Sequence, residues 1–136
     1  MWGQDMARAE NMGMTFVEAT FRGPGGSRRL RLLVDTGAAY SVLPAAVAQG
    51  LGAKPLYAAH FRLANGRRVR RTLAELEVEV LGRHAVMIVL LGARRDAMLL
   101  GCYTLEGLGL EVDPVGRTLR PQETFALFSV GPAATA

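Results

Sequence analysis

Cysteine, histidine and lysine are nearly missing from this chain of 136 residues: Cys102 stands alone, His60 and His84 are the two histidines, and Lys54 is the one lysine. A single cysteine excludes an internal disulfide and a cysteine-based zinc site, and fits a reducing compartment. Two histidines this far apart in sequence suggest no metal cluster, so both are expected to be structural and no cofactor is expected. Long apolar runs are also lacking. The longest, Ala85 to Gly92, is far short of a bilayer span and reads as a buried strand, so no membrane span is expected in this chain. The opening Met1-Trp2-Gly3-Gln4-Asp5 has no basic stretch followed by an apolar one, so no signal peptide is read and the cytoplasm is the expected location.

What is present describes one globular domain. Half of the residues are hydrophobic, and the length suffices to bury a real core. The formal charge is +4, carried almost wholly by arginine. Spread over several loops, such an excess reads first as a solvated surface. The basic stretches carry no interleaved aromatics, so no nucleic-acid partner is expected.

Short strands punctuated by turns dominate the pattern. Residues 1–13 show no period and are expected to form a flexible tail. Thr15 to Phe21 and Arg28 to Asp35 alternate like strands and flank Gly23-Pro24-Gly25-Gly26, a hairpin signal. Ala39 to Leu43 returns to the core, and Pro44 opens a short helix through about Gln49. Tyr57 to Leu63 and Arg67 to Arg71 flank Ala64-Asn65-Gly66, where Asn-Gly favours a tight left-handed turn. Ala74 to Val80 alternates apolar with acidic residues without a fault, a half-buried strand. His84 to Leu91 is expected to be buried on both faces or nearly so. Ala97 to Gly101 is a further apolar strand, Cys102 to Gly107 one or two helical turns, and Leu108 to Val112 with Thr118-Leu119 a last strand pair around the turn Asp113-Pro114-Val115-Gly116. The expected class is all-β with one or two short helices.

The organising stretch is Leu32-Leu33-Val34-Asp35-Thr36-Gly37-Ala38. A stiff apolar strand delivers one carboxylate into a turn that Gly37 permits, the setting in which an ionisable group is put to chemical use. As a bare tripeptide, Asp-Thr-Gly would read as an ordinary strand exit. Its company changes that reading. In order along the chain come the Leu33–Ala38 motif, the Phe61–Arg71 hairpin with Asn65-Gly66 at its tip, the strand pair Leu76–Gly82 and Ala85–Gly92, and the apolar-apolar-glycine run Met98-Leu99-Leu100-Gly101.

These four features at this spacing resemble the retropepsin-like aspartic proteases, the single-domain family that includes retroviral proteases and bacterial relatives. The resemblance covers about residues 14–121, which it marks as a retropepsin-like protease domain. It implies a closed six-stranded β-barrel-type fold with short helices, acting as a dimer. It implies Asp35 as the catalytic carboxylate, supported by Thr36, Gly37 and Ala38, with Leu63, Ala64, Asn65 and Gly66 as the flap. Met98, Leu100 and Gly101 are expected at the substrate pocket, with Leu99 pointing to the core. Residues 122–136 have no counterpart; Phe125 to Val130 is expected to be an interface strand, since a late apolar segment otherwise stays exposed. Where many relatives carry Arg or Asp with Asn after the last glycine, this chain has Cys102-Tyr103.

Aspartic-protease chemistry needs two carboxylates sharing a proton, one accepting from water and the other donating to the scissile carbonyl. This chain holds one Asp-Thr-Gly and no second. Asp113, the nearest rival, sits in an Asp-Pro turn. The expected enzyme is therefore a homodimer with one Asp35 from each subunit, hydrolysing an extended peptide or protein substrate. A catalytically silent dimeric peptide-binding module of the same fold is the alternative. Ala38 has no hydroxyl to hold an ionised neighbour, so the expected working pH is weakly acidic to neutral.

Overall fold

In the computed structural model, residues 13–123 and 131–133 are described. The expected interface strand Phe125–Val130, and the expected tail except for Gly13, lie outside them. Among the described residues nine strands and two short helices follow in order: β1 (Phe16–Gly23), β2 (Gly26–Val34), β3 (Ser41–Pro44), α1 (Ala45–Gly50), β4 (Lys54–Arg62), β5 (Arg68–Val80), β6 (Arg83–Gly92), β7 (Leu99–Leu100), α2 (Cys102–Gly107), β8 (Leu110–Asp113) and β9 (Thr118–Pro121).

The β1–β2 hairpin forms where the alternation places it, paired from Phe16↔Leu33 to Gly23↔Gly26. Glycine is required in its turn for space. A Cβ on Gly23 would lie 2.1 Å from the Leu51 carbonyl oxygen, and one on Gly25 would lie 2.3 Å from that of Gly50. The hairpin tip thus rests directly on the end of α1, where the Gly25 amide donates to the Leu51 carbonyl.

The remaining pairings turn the sheet into a ring. Its order is β1-β2-β7-β3-β6-β5-β4, and β1 also pairs with β5. Six strands therefore close on themselves while β4 hangs outside on β5. Strand β5 makes this possible through its length. Its first half pairs with β4 as a projecting hairpin, and its second half pairs with β1 at Thr20↔Glu79 to Arg22↔Glu77. Its alternation sends Leu76, Val78 and Val80 into the core and Glu75, Glu77 and Glu79 outward. Phe21, Leu32, Leu43 and Val89 fill the ring, and none has exposed surface. Strands β8 and β9 form a separate two-stranded sheet.

Two local expectations need correction. Strand β6 is buried only over Val89–Gly92, whereas Val86 is 61% and Ile88 39% exposed. It pairs with β5 along most of its length but gains β3 as a second neighbour only from Val89. Asn65 does not take a left-handed conformation; Gly66 alone does in that turn, at φ 85°. The Asn65 side chain caps the turn instead, its Oδ1 accepting from the Arg67 amide at 2.9 Å.

Candidate active site

Strand β2 ends on Asp35, and the backbone there is held on both sides. The Val34 amide donates to Thr15, and the Asp35 amide donates to Leu100 at 3.0 Å. The chain then turns through Thr36 and Gly37, and the Gly37 amide donates to Asp35 Oδ1 at 3.0 Å. Among the described residues no protein donor meets Oδ2. Asp35 is half-exposed, with Oδ1 the oxygen that is fixed.

The loop beyond Asp35 is tied to α2. The first amides of a helix lack partners within it. Here no side chain caps α2; the Cys102 amide donates to the Ala38 carbonyl at 2.7 Å and the Tyr103 amide to that of Ala39 at 3.0 Å. Beneath these bonds lies a buried polar pair. Ser41 Oγ and Thr104 Oγ1 are 2.6 Å apart, and Ser41 Oγ also accepts the Gly101 amide at 3.0 Å. Ser41 is wholly enclosed and Thr104 all but so. A Cβ on Gly101 would sit 2.5 Å from the Tyr40 carbonyl carbon, so the two segments touch backbone to backbone.

An open cleft of about 660 Å³ runs from Asp35 to the β4–β5 hairpin. Gly37, Ala38 and Tyr40 form one wall, Phe61, Arg62, Leu63 and Ala64 the other, with Val42, Leu90 and Leu99 between them. Asp35 is its one acid among the described residues. A smaller hollow of about 250 Å³ continues past Leu99 under Phe61 and Val69, and ends at Arg71 and Asp96. Those two form a fork, with Arg71 Nε 2.7 Å from Asp96 Oδ2 and Nη2 3.2 Å from Oδ1. The Arg71 guanidinium holds the Asp96 carboxyl below the usual carboxylate range, helped by the Ala93 amide and opposed by burial. Tyr40 packs edge-on against Phe61 and Tyr103, at 6.0 and 5.3 Å between centroids. Burial, followed by the neighbouring Tyr57 hydroxyl, raises the Tyr40 phenol above its ordinary value, so it stays protonated at neutral pH.

Of the residues singled out from the sequence, Asp35, Gly37, Ala38, Leu63 and Ala64 border this cleft. Asn65 and Gly66 lie at the exposed hairpin tip. Thr36 is exposed and borders a groove on the other side of Asp35, with Thr15, Leu33, Val112 and Pro114. The expectation for β7 is reversed. Leu99 lines the cleft, whereas Leu100 is fully buried in the core and Met98 packs against that core. The cause is strand phase: Leu99 pairs with Val42, a cleft residue, which sends Leu100 to the opposite face. Gly101 is likewise no pocket wall but the contact point with Tyr40. Sequence reasoning also missed Ser41 and Thr104, whose partnership spans 63 positions and has no local signature. No group of three His, Cys, Asp or Glu side chains suited to a metal is gathered among the described residues.

Comparison with known proteins bears on the family and the fold. Residues 25–107 match the family described as "gag-polyprotein putative aspartyl protease". No curated protein matches the chain. Among solved structures, the EIAV protease complexed with the inhibitor HBY-793 is similar, at 22% identity and a TM-score of 0.60 over 74% of this chain and 92% of its own. The simian foamy virus (mac) protease is similar at 22% identity and a TM-score of 0.50, over 69% of this chain and 94% of its own. A retropepsin-like aspartic protease from Rickettsia conorii is 24% identical, with a TM-score of 0.44 over 74% of this chain and 87% of its own. At such identities the viral structures speak for the fold, a mostly β retropepsin-like one, and the family model speaks for descent. The chain belongs to the gag-polyprotein aspartyl protease family.

Proposed function

We propose that the protein is a homodimeric aspartic endopeptidase in which Asp35 from each subunit forms one catalytic pair. The observation that carries this reading is the Asp35 carboxylate itself. It stands at the end of a stiff strand on the floor of a cleft, with Oδ1 held by the Gly37 amide and Oδ2 met by no protein donor among the described residues. One such group cannot both accept a proton from water and donate one to a carbonyl, and the chain has no second Asp-Thr-Gly. A two-fold axis beside Asp35 supplies the missing partner, since a residue on such an axis meets its own copy.

The residues then divide the work. The ionised Asp35 takes a proton from water as its oxygen attacks the scissile carbonyl carbon, and the protonated partner donates to the carbonyl oxygen. Collapse of the tetrahedral intermediate breaks the C–N bond as a proton passes to the leaving nitrogen. Thr36, exposed on the far side of Asp35, faces the partner's turn. The Gly37 amide keeps the carboxylate aimed, and Ala38 leaves room beside it. The hairpin tip, with Leu63 and Ala64 inward and Asn65 and Gly66 at the crest, lies over an extended substrate as a flap. Residues 14–121 carry the active unit. No helix among the described residues is long and apolar enough to cross a membrane. The lone Cys102 fits a reducing cytoplasm.

The test is peptide cleavage by the wild type and by Asp35→Asn, with sedimentation of both. Cleavage by the wild type and its loss in a variant that still dimerises is the expected result. Equal cleavage by both overturns the role of Asp35, and cleavage by neither overturns the reading and leaves a silent binding module of the same fold.

A further inference from the structure

The chain's positive charge is concentrated in one place. From Thr36 to Ala74 there is no Asp or Glu, while Lys54, Arg62, Arg67, Arg68, Arg70 and Arg71 contribute six positive charges, more than the chain's whole excess of +4. The rest of the molecule is therefore slightly acidic. All six cations stand on the β4–β5 hairpin or its turn, Lys54 at its base opposite Glu75. Only Arg71 has an acid partner among the described residues, and it lies on the inner face with Asp96.

Strand register places the others. In an antiparallel pair, directly opposed residues share a face. His60 opposes Arg70 and Arg62 opposes Arg68, while Phe61 opposes Val69 on the face toward the cleft. His60, Arg62, Arg68 and Arg70 thus form one exposed, acid-free face on the outside of the hairpin, with Arg67 at its tip. Arg62 links this face to the cleft, because it borders the cleft while its guanidinium donates to the Gly66 carbonyl at 3.0 Å.

Like charges set directly opposite each other destabilise a hairpin. Protecting an edge strand from aggregation explains a charge or two, but β4 is already guarded by Pro55 and the irregularity between Pro55 and Tyr57. An anion laid across the face removes the repulsion.

We infer that the outer face of the β4–β5 hairpin, through His60, Arg62, Arg68 and Arg70, binds an acidic stretch of the protein substrate flanking the segment held in the cleft. A peptide suits this face better than a nucleic acid. The hairpin's aromatics, Tyr57 and Phe61, are on the opposite face, so no stacking platform accompanies the arginines. The inference rests on the endopeptidase reading for its consequence, but the binding itself is measured separately.

The experiment uses a fluorescein-labelled glutamate-rich dodecapeptide and its glutamine counterpart, with the full chain and with Arg68→Gln/Arg70→Gln, two positions outside the cleft lining. Fluorescence anisotropy at low salt should show the acidic peptide bound at least tenfold more tightly than the neutral one. That preference should largely vanish at roughly 0.5 M salt, where the Debye length is a few ångströms, and in the double variant. A cleavable peptide carrying either tail should show the same preference in kcat/KM, with the neutral-tailed rate unchanged in the double variant. Equal binding of the two peptides, or an undiminished preference in the double variant, overturns the inference. Tighter binding of a single-stranded oligonucleotide or of anionic lipid vesicles than of the acidic peptide overturns it as well. Binding without cleavage of any peptide overturns the endopeptidase reading and leaves the acidic-peptide face standing.

Discussion

Replacing Ser41 by alanine removes one oxygen from a site that water does not reach. Two buried groups lose their partner: the Gly101 amide, which donates to Ser41 Oγ at 3.0 Å, and the Thr104 hydroxyl, 2.6 Å from it. Stranding a buried polar group costs about 1–3 kcal/mol, so Ser41→Ala should cost about 3 kcal/mol in all. Thr104→Val keeps the side-chain shape and leaves Ser41 still accepting the Gly101 amide, so its cost should be about 1 kcal/mol. In the double variant no hydroxyl is left stranded, and only the Gly101 amide lacks a partner. Its cost should be about 2 kcal/mol, no more than that of Ser41→Ala alone, which makes the pair strongly non-additive. Urea unfolding at one fixed protein concentration reads this directly. With a slope of about 2 kcal/mol per molar urea, Ser41→Ala should lower the midpoint by roughly 1.5 M and the double variant by roughly 1 M. Costs that add within about 0.5 kcal/mol would refute the claim that this pair is one hydrogen-bonded unit fastening the Asp35 loop to α2.

Other expectations concern the cleft and its supports. Asp35→Asn should reduce peptide hydrolysis by at least about a thousandfold while far-UV circular dichroism and thermal midpoint stay near wild type, since a neutral amide cannot act as the base. Gly101→Ala should lower the thermal midpoint by about 10 °C, because its Cβ meets the Tyr40 backbone at 2.5 Å, and overpacking of that kind costs about 3 kcal/mol. Leu99→Phe should lower kcat/KM by roughly tenfold for substrates with large apolar side chains by filling the hollow beneath Phe61, as steady-state kinetics on a size series would show. Asp96 is held below its ordinary value by Arg71, so the pair stabilises the fold above the unfolded carboxylate value near 4 and loses that contribution as pH falls through the lower, folded one. Unfolding measured from pH 5 to pH 2 should therefore show an extra acid loss of up to about 1 kcal/mol in the wild type that Arg71→Met lacks; an identical loss in both would contradict it.

Much of this architecture was legible because strand alternation is a local signal. The β1–β2 hairpin, the alternating Ala74–Val80 half of β5 and the delivery of Asp35 to a turn all followed from neighbouring residues, whereas the continuity of β5 back to Arg68 did not. Burial of β6 was not legible, because it depends on β3 joining it at Val89–Gly92, a pairing no local pattern announces. The roles of Leu99 and Leu100 were exchanged for a related reason. In a two-residue strand the phase is set by its partners, here Val42 opposite Leu99, and apolar residues stand at both positions. Ser41 and Thr104 read as ordinary small polar residues until the chain brings them together. Asn65-Gly66 marked the turn correctly, but the side chain of Asn65, rather than a left-handed backbone, does the capping.

The most direct test of the Asp35 pair is the stoichiometry of a transition-state mimic. Calorimetric titration with a statine-containing peptide, whose hydroxyl occupies the place of the attacking water, should saturate at one molecule per two chains and show no binding to Asp35→Asn. Saturation at one molecule per chain, or undiminished binding to Asp35→Asn, would contradict a site assembled from two copies of a single carboxylate.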